Sequence, residues 1–215
     1  ILESKDLPEK TSADLSVSVI GVGGGIQKLG KDKRSSWGFT YNYTNLAPAF
    51  AVIKQRQDFY QSPTYHQGDA NFRFKTKTGG FVKYYGYLSW NKTGFRAGDI
   101  DSIPLQNAFD IENLNTYHNI NWKENLGRRW KSFLALSYST NKDNINNGLQ
   151  DEDGEKLPLS VAGNWAFKNY GLISTARYAQ VRWVLEKRWK GMNTLRFGAD
   201  QFYRHKKTVF TDYNG

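Results

Sequence analysis

Residues 36–45 read SWGFTYNYTN, and this stretch decides the fold class. The odd-numbered residues from 37 to 43 are aromatic, whereas the even-numbered residues from 38 to 44 are glycine, threonine or asparagine. Successive side chains of an extended chain point to opposite faces, so this pattern predicts a strand with one apolar and one polar face. The apolar face must contact either the core of a β-sandwich or lipid.

The same alternation recurs along the chain and predicts eight strands. Most of them reach the roughly 9–11 residues that a tilted strand needs to cross a bilayer, against about 5–6 for an average strand. The predicted strands are residues 15–25, 36–44, 69–76, 81–92, 113–123, 129–140, 174–187 and 192–204.

The predicted connections alternate strictly between short and long. Short turns fall near residues 26–35, 77–80, 124–128 and 188–191, and long loops fall near residues 45–68, 93–112 and 141–173. Outer-membrane barrels place short turns in the periplasm and long loops outside the cell. We therefore predict an all-β fold over residues 1–215, an antiparallel meander of about eight long strands that is part of a transmembrane β-barrel.

The composition excludes several classes of protein. No run of about 18 apolar residues is present, which excludes a transmembrane helix, and the mean hydropathy is −0.69 although 15% of the residues are aromatic. The chain has no cysteine, so a disulfide framework, a thiol nucleophile and a cysteine metal site are all excluded. No secretory signal is visible in the opening segment ILESKDLPEK.

The chain has a net charge of +10, and its basic residues concentrate around the short turns. The long segments are acidic or nearly neutral. This distribution favours attraction of one rim to anionic lipid headgroups, with a merely solvated polar edge as the alternative. Nucleic-acid binding is not expected, because the aromatic residues lie in regular strands and not on a basic stacking platform. The basic set is Lys28, Lys31, Lys33, Arg34, Arg73, Lys75, Lys77, Lys123, Arg128, Arg129, Lys131, Lys187, Arg188 and Lys190.

The strand directions predict a section of a larger barrel. With short turns on one side, the first predicted strand begins, and the last ends, on the side of the long loops. Residues 1–14 and 205–215 would then belong to extracellular loops, and the eight strands would form four hairpins of a longer wall. At this spacing a barrel of about 22 strands, as in plugged transporters, would need roughly 600 residues.

Three phrases carry a resemblance to a known family: FTYNYTNL at residues 39–46, YGYLSWN at residues 85–91 and LSYSTNKDNIN at residues 136–146. With the hairpin pattern, they make residues 11–210 resemble the barrel section of TonB-dependent outer-membrane receptors. The resemblance implies uptake of a scarce nutrient, such as a ferric siderophore, haem, cobalamin or an oligosaccharide, powered by TonB and the proton-motive force. It also implies location in the outer membrane of a Gram-negative bacterium.

The resemblance covers the barrel wall and its loops alone. The family's plug domain, TonB box and terminal aromatic residue have no counterpart in this stretch. The implied partners are outer-membrane lipid, the protein's own plug domain and remaining barrel strands, TonB through that plug, and an unidentified small-molecule ligand. The wall would have no reaction of its own.

Two sets of residues are the candidate functional positions. If the apolar residues face outward, the opposite residues of the same strands face the lumen, where they would guide an anionic ligand or pair with acidic plug residues; the second role is favoured. The lumen-facing candidates are Arg73, Lys75, Arg182, Arg196, Asp200 and Arg204. The candidate aromatic anchors at the membrane interface are Trp37, Tyr43, Trp90, Trp122, Trp130, Trp183 and Trp189.

Catalysis and cofactor binding are not predicted. The three histidines are scattered, and neither a G-x-S-x-G nor an H-E-x-x-H motif is present. QDEDGEK at residues 150–156 matches part of a calcium loop, but Leu149 and Ser160 stand where the template needs Asp and Glu, which favours a solvated acidic loop. Residues 48–58 are expected to form a short helix that begins at Pro48.

A soluble or surface β-sandwich that binds carbohydrate is the alternative from another class. Its aromatic residues would contact sugar, and the protein would form a stable monomer in plain buffer, whereas the membrane hypothesis expects recovery only in detergent or lipid. A small adhesin or passive pore is a third possibility, which requires a closed barrel with periplasmic ends.

Overall fold

The computed structural model describes residues 7–101, 104–127, 129–157, 163–189 and 193–212. These residues form one open antiparallel sheet of nine strands in sequence order, which confirms the all-β meander. No helix in the described ranges has the length and apolar character that crossing a membrane requires. The strands are β1 (Ser12–Ser18), β2 (Gly21–Leu29), β3 (Ser35–Asn45), β4 (Asp58–Lys75), β5 (Phe81–Gly98), β6 (Gln106–Asn125), β7 (Trp130–Gln150), β8 (Tyr170–Arg188) and β9 (Thr194–Thr211).

The structure has nine strands where the sequence predicts about eight, because one predicted strand is a hairpin. Residues 15–25 are not a single strand, because the chain turns at Val19 and Ile20 and pairs Ser18 with Gly21. Hairpin turns are usually recognised by Gly, Asn or Asp at positive φ. Neither Val19 nor Ile20 has positive φ, so this turn leaves no such signal in the sequence.

The extra strand reverses the expected direction of the N-terminal end. Ser12 pairs with Gln27, so β1 begins beside the turn that joins β2 to β3. The short-turn edge, on which that turn lies, comprises the described residues 30–34, 76–80, 126–127, 129, 189 and 193. The expectation that the first strand begins at the opposite edge, with the long loops, is therefore wrong, whereas β9 does end there.

The strands extend into the predicted long loops near residues 45–68, 93–112 and 141–173, so that about half of these residues are strand. The connections begin after β3, β5 and β7, and we name their described residues the long-connection edge: 46–57, 99–101, 104–105, 151–157 and 163–169. Strands β4 to β9 are 18 to 21 residues long, or roughly 60–70 Å at about 3.3 Å per residue. The sequence does not reveal this extension, because polar residues occur on both faces there and the alternation is lost, while the backbone hydrogen bonding continues.

Two short helical elements lie on the long-connection edge. Helix α1 (Ala47–Val52) carries Pro48 in its first turn, where the fixed φ of proline suits a helix start. The helix starts where the sequence predicts and ends earlier than expected. The ring of Phe50 packs on Phe59 of β4 with 5.0 Å between centroids. A 3-10 helix, Gly163–Lys168, precedes β8.

The glycine-rich strand β2 allows β3 to approach closely. A Cβ atom on Gly21 would lie 2.4 Å from the Tyr43 carbonyl oxygen, and one on Gly23 would lie within 2.0 Å of Asn42 Oδ1. Glycine in a strand is typical of such close backbone approach. The stretch IGVGGG is therefore a packing feature of the sheet.

Candidate functional site

The register of the sheet places apolar side chains side by side on one face. Directly paired residues of antiparallel strands lie on the same face, and one such row runs unbroken from β3 to β8. The row consists of Trp37, Phe72, Tyr84, Ile120, Leu136 and Val181. We call the side that carries it the apolar face. The neighbouring row on the opposite side, the polar face, consists of Gly38, Asn71, Tyr85, Asn119, Ser137, Gln180 and Phe202.

Burial in this sheet is inverted relative to a water-soluble domain. The Trp37 side chain is 45% exposed, while its neighbour Ser36 on the polar face is 1% exposed. Buried polar residues among the described ones include Ser89, Asn147 and Ser174, and the buried hydrophobic residues are mostly alanine. Large exposed apolar patches on a monomer mark contact with a partner or a membrane.

Two aromatic rows border the apolar face. Near the long-connection edge, the His66 ring stacks on Trp90 at 5.0 Å and lies 4.8 Å from Tyr43. Near the short-turn edge, Trp130 meets Phe197 edge-on at 6.2 Å. Along a single strand, the bordering aromatic residues are six residues apart on β3 (Trp37 and Tyr43) and eight apart on β7 (Trp130 and Tyr138), or roughly 20–27 Å at about 3.4 Å per residue.

The predicted interface aromatics largely share this face. Trp37, Trp122, Trp130 and Trp183 lie in its half near the short-turn edge, and Tyr43 and Trp90 lie in the other half. Trp183 Nε1 donates to Ser132 Oγ at 3.1 Å, and Trp90 Nε1 donates to Glu112 Oε1 at 2.6 Å. Trp189 lies beyond β8, is exposed, and donates its backbone N–H to Asn193 at 3.0 Å.

Asparagine side chains link neighbouring strands on the polar face. Asn141 Nδ2 donates to Asn115 Oδ1 at 2.6 Å, and Asn113 donates to Asp143. The oxygen atoms of Ser36, Asn71 and Asn91 are buried without a hydrogen-bond partner among the described residues. Buried polar groups normally have a partner, so these three oxygen atoms are exceptions within the sheet.

The six predicted lumen-facing residues all lie on the polar face. Arg182 Nε donates to Asp200 Oδ2 at 2.6 Å, and Arg196 donates to Glu186 Oε2 at 2.6 Å, so both arginines have carboxylate partners within the sheet. The positions of three further candidates follow from register and from a ring contact. Arg73 is the cross-strand neighbour of Lys83, and Lys75 is that of Phe81. The Arg204 guanidinium stacks on the Tyr178 ring at 5.5 Å.

A basic groove occupies the polar face near the short-turn edge. Its volume is about 960 Å³, and tyrosine and asparagine side chains separate its cations. The alternation in the sequence places Arg73 on this face. The residues beside it in the groove depend on cross-strand register, which the sequence does not reveal. The groove includes Arg73, Lys83, Tyr85, Tyr117, Asn119, Asn121, Lys123 and Lys131.

A buried ion pair joins two connections at the long-connection edge. Lys168 Nζ donates to both carboxylate oxygens of Asp99 at 2.7 Å and to Asp101 Oδ2 at 2.8 Å. The Asp99 side chain is 1% exposed and that of Lys168 is 13% exposed. Asn107 Nδ2 adds a 2.7 Å bond to Asp99 Oδ2. The sequence gives no signal for this pair, because its partners are separated by 69 positions along the chain.

The ion pair shifts the ionisation of both partners. The Lys168 ammonium holds the pKa of Asp99 below its ordinary value, and bonds to Asp101 and Asp99 raise the pKa of Lys168. A carboxyl group with a lowered pKa stabilises the fold above its unfolded pKa of about 3.9 and loses that effect as the pH falls. An amine with a raised pKa stabilises it below about 10.4 and loses the effect as the pH rises through the raised pKa. The contact is therefore strongest at neutral pH.

Acidification below about pH 4 is expected to release this contact, because protonation of Asp99 removes its charge. The Asp101 amide donates to Asp99 Oδ1 at 2.9 Å, so its hydrogen-exchange protection factor reports the contact directly. In the Asp99→Asn variant this protection should be lower at neutral pH. It should also stay the same from pH 6 to pH 2, because residue 99 no longer ionises. Unchanged protection in the wild-type protein from pH 6 to pH 2 would contradict the assignment.

Arg96 makes a second cluster at the same edge. Its Nε donates to Gln150 Oε1 at 2.7 Å, its guanidinium pairs with Asp58 at 3.1 Å, and it stacks on Tyr60 at 4.7 Å. Tyr60 in turn donates to Asp110 Oδ1 at 2.7 Å. These bonds connect β4, β5, β6 and β7, so the outer parts of four strands are held together by side chains.

The acidic segment at residues 150–156 forms a local turn. Asp151 Oδ1 accepts from the Glu155 amide at 2.9 Å, and Gln150 bridges to Lys156. The calcium template's last position, Ser160, lies outside the described residues. Within the described part of the chain, no three His, Asp or Glu side chains converge as metal ligands would.

Comparison of the chain with protein-family models, curated proteins and solved structures finds no match.

Proposed function

We propose that this chain is a wall section of an outer-membrane β-barrel, from a TonB-dependent receptor that takes up a scarce nutrient. The inverted burial of the sheet carries the membrane part of the proposal. A continuous apolar face bounded by aromatic rows matches the apolar band, about 25 Å tall, that such barrels present to lipid. Lipid solvates this face, and the polar face lines the lumen.

The polar face has the chemistry that a lumen requires. Asparagine, serine and charged side chains alternate with the lipid-facing residues along the strands other than β2, as in barrels with polar interiors. The partnerless oxygen atoms of Ser36, Asn71 and Asn91 suit a hydrated surface or the polar surface of a plug domain. Since Arg182 and Arg196 are neutralised by Asp200 and Glu186, the basic groove with Lys123 and Lys131 is the better place for an anionic partner.

The long-connection edge supplies the outer surface in this proposal. The strands continue well beyond the apolar face, and the Asp99–Lys168 pair and the Arg96 cluster hold their outer parts in place. Recognition elements positioned by a rigid scaffold are typical of binding loops. The choice of receptor class rests on the resemblance of residues 11–210 and on the strand pattern.

The sandwich alternative has no observation in its favour. It needs a second sheet packed over the aromatic residues, and the described residues form a single sheet whose apolar face is exposed.

Uptake by living cells tests the proposed function. Cells that carry the intact protein are compared with cells lacking it, using a ferric siderophore, haem, cobalamin and an oligosaccharide, each radiolabelled. At least one compound should accumulate in a protein-dependent way, and accumulation should stop in cells without TonB. Accumulation that persists without TonB would indicate a passive pore, and no protein-dependent accumulation of any compound would contradict the proposal.

A further inference from the structure

A group of basic side chains lies on the apolar side of the sheet, on the last three strands near the long-connection edge. On the same side, Tyr138 of β7 and Tyr203 of β9 form a row with Ala179 between them. The next row toward the long-connection edge pairs Thr140 with Arg177 and Arg177 with His205. The row after that pairs Lys142 with Thr175 and Thr175 with Lys207. We call Lys142, Arg177 and Lys207, with the imidazole of His205 beside them, the cationic patch.

The patch is exposed and has no carboxylate partner. All four side chains are exposed, and none of them makes an ion pair or side-chain hydrogen bond with another described residue. The acidic strand residues of the same side near the long-connection edge are engaged elsewhere: Asp58 pairs with Arg96, Glu112 accepts from Trp90, and Asp110 accepts from Tyr60. Uncompensated cations on an exposed face attract anions.

The spacing of the patch suits phosphate groups. Lys142 and Lys207 are two strands apart, about 10 Å, and Arg177 lies between them as a diagonal neighbour. Arginine binds phosphate through two parallel N–H donors, and lysine binds it as a point charge. The patch begins about 7 Å beyond the tyrosine row along the strand, the depth at which lipid headgroups follow the hydrocarbon region.

We propose that the cationic patch binds the phosphate groups of a lipid headgroup in the membrane leaflet on the long-connection side. This inference rests on the proposed membrane location of the sheet. Lipid is a better occupant than a free phosphate or a soluble polyanion, because the patch continues directly from the apolar face. One lipid molecule then places its acyl chains against Val181 and Leu136 and its phosphates against Arg177 and Lys207.

Titration with a phosphorylated glycolipid tests the proposal. The intact protein in neutral detergent micelles is titrated with bisphosphorylated lipid A, and complexes are counted by native mass spectrometry. Removing two cations from the patch with R177Q/K207Q should weaken binding about 25-fold, at about fivefold for each charge near a lipid surface. The double variant R204Q/K206Q removes the same charge from the polar face of β9 and should change binding less than twofold.

Each outcome decides the question. Equal weakening in the two double variants indicates non-specific attraction and overturns the proposal, as does equal binding of inorganic phosphate in place of the lipid. The conservative variant R177K/K207R, with far-ultraviolet circular dichroism as the folding control, should bind within about twofold of wild type. If the protein inserts into micelles but does not bind lipid A, the proposal for the patch is refuted and the proposed membrane wall is not. If the protein is stable and monomeric in buffer without detergent, the membrane wall is refuted as well.

Discussion

Val181→Arg is expected to reduce the free energy of unfolding in a lipid bilayer by about 2–4 kcal/mol, the cost of a charge at the middle of a barrel's lipid face. Gln180→Arg, one residue away, is expected to change it by less than about 0.5 kcal/mol. Val181 belongs to the apolar face, whereas Gln180 lies on the polar face and donates to Asp200 at 2.8 Å.

The difference between the two variants shows whether the apolar face contacts lipid or water. The Val181 side chain is already 45% exposed, so in an aqueous protein the arginine would be a surface substitution with little effect. Denaturant unfolding of the protein in phosphatidylcholine vesicles, followed by tryptophan fluorescence, gives both free energies. Equal effects of the two arginines would show that the apolar face does not contact acyl chains.

Leu149→Ala is expected to destabilise the end of β7 by about 2–5 kcal/mol, the range for deleting a buried leucine side chain. Leu149 is 1% exposed, its amide donates to Asn169 Oδ1 at 2.7 Å, and its carbonyl accepts from the Leu157 amide at 3.1 Å. The side chain therefore lies where both ends of the β7–β8 connection meet the sheet, and a cavity there loosens that connection.

Hydrogen exchange resolved by mass spectrometry locates this effect. Peptides that cover residues 151–157 and 163–169 should lose protection in Leu149→Ala, while peptides from the middle of β7 should keep it. Leu126→Ala is the matched control, since this exposed leucine lies in the β6–β7 turn at the short-turn edge. If the two variants exchange alike, Leu149 does not organise the connection.

The two sides of the sheet could be predicted from the sequence, residue by residue. Trp37 and Trp183 were assigned to one side, and Arg182 and Asp200 to the other, and the register agrees. A strand has a period of two, so alternation in the sequence translates directly into sidedness. The same alternation places the six lumen-facing candidates on one side of the sheet and most of the candidate interface aromatics on the other, as the register has them.

Strand ends and turns followed less directly from the sequence. The hairpin at Val19 and Ile20 has neither glycine nor positive φ within its loop, and the outer halves of β5 and β6 have polar residues on both faces. Backbone ladders need no particular side chains. Where hydrophobic contrast ends, the sequence therefore no longer marks the strand, although the hydrogen bonding continues.

The sequence by itself determined the fold class and which residues share a side, because both depend on local alternation along an extended chain. The tertiary structure alone decided which distant residues meet: Asp99 with Lys168, Arg96 with Gln150, and the cationic patch that joins β7, β8 and β9. These contacts depend on cross-strand register. The register is set by the whole sheet, so it cannot be deduced from the spacing of residues along the chain.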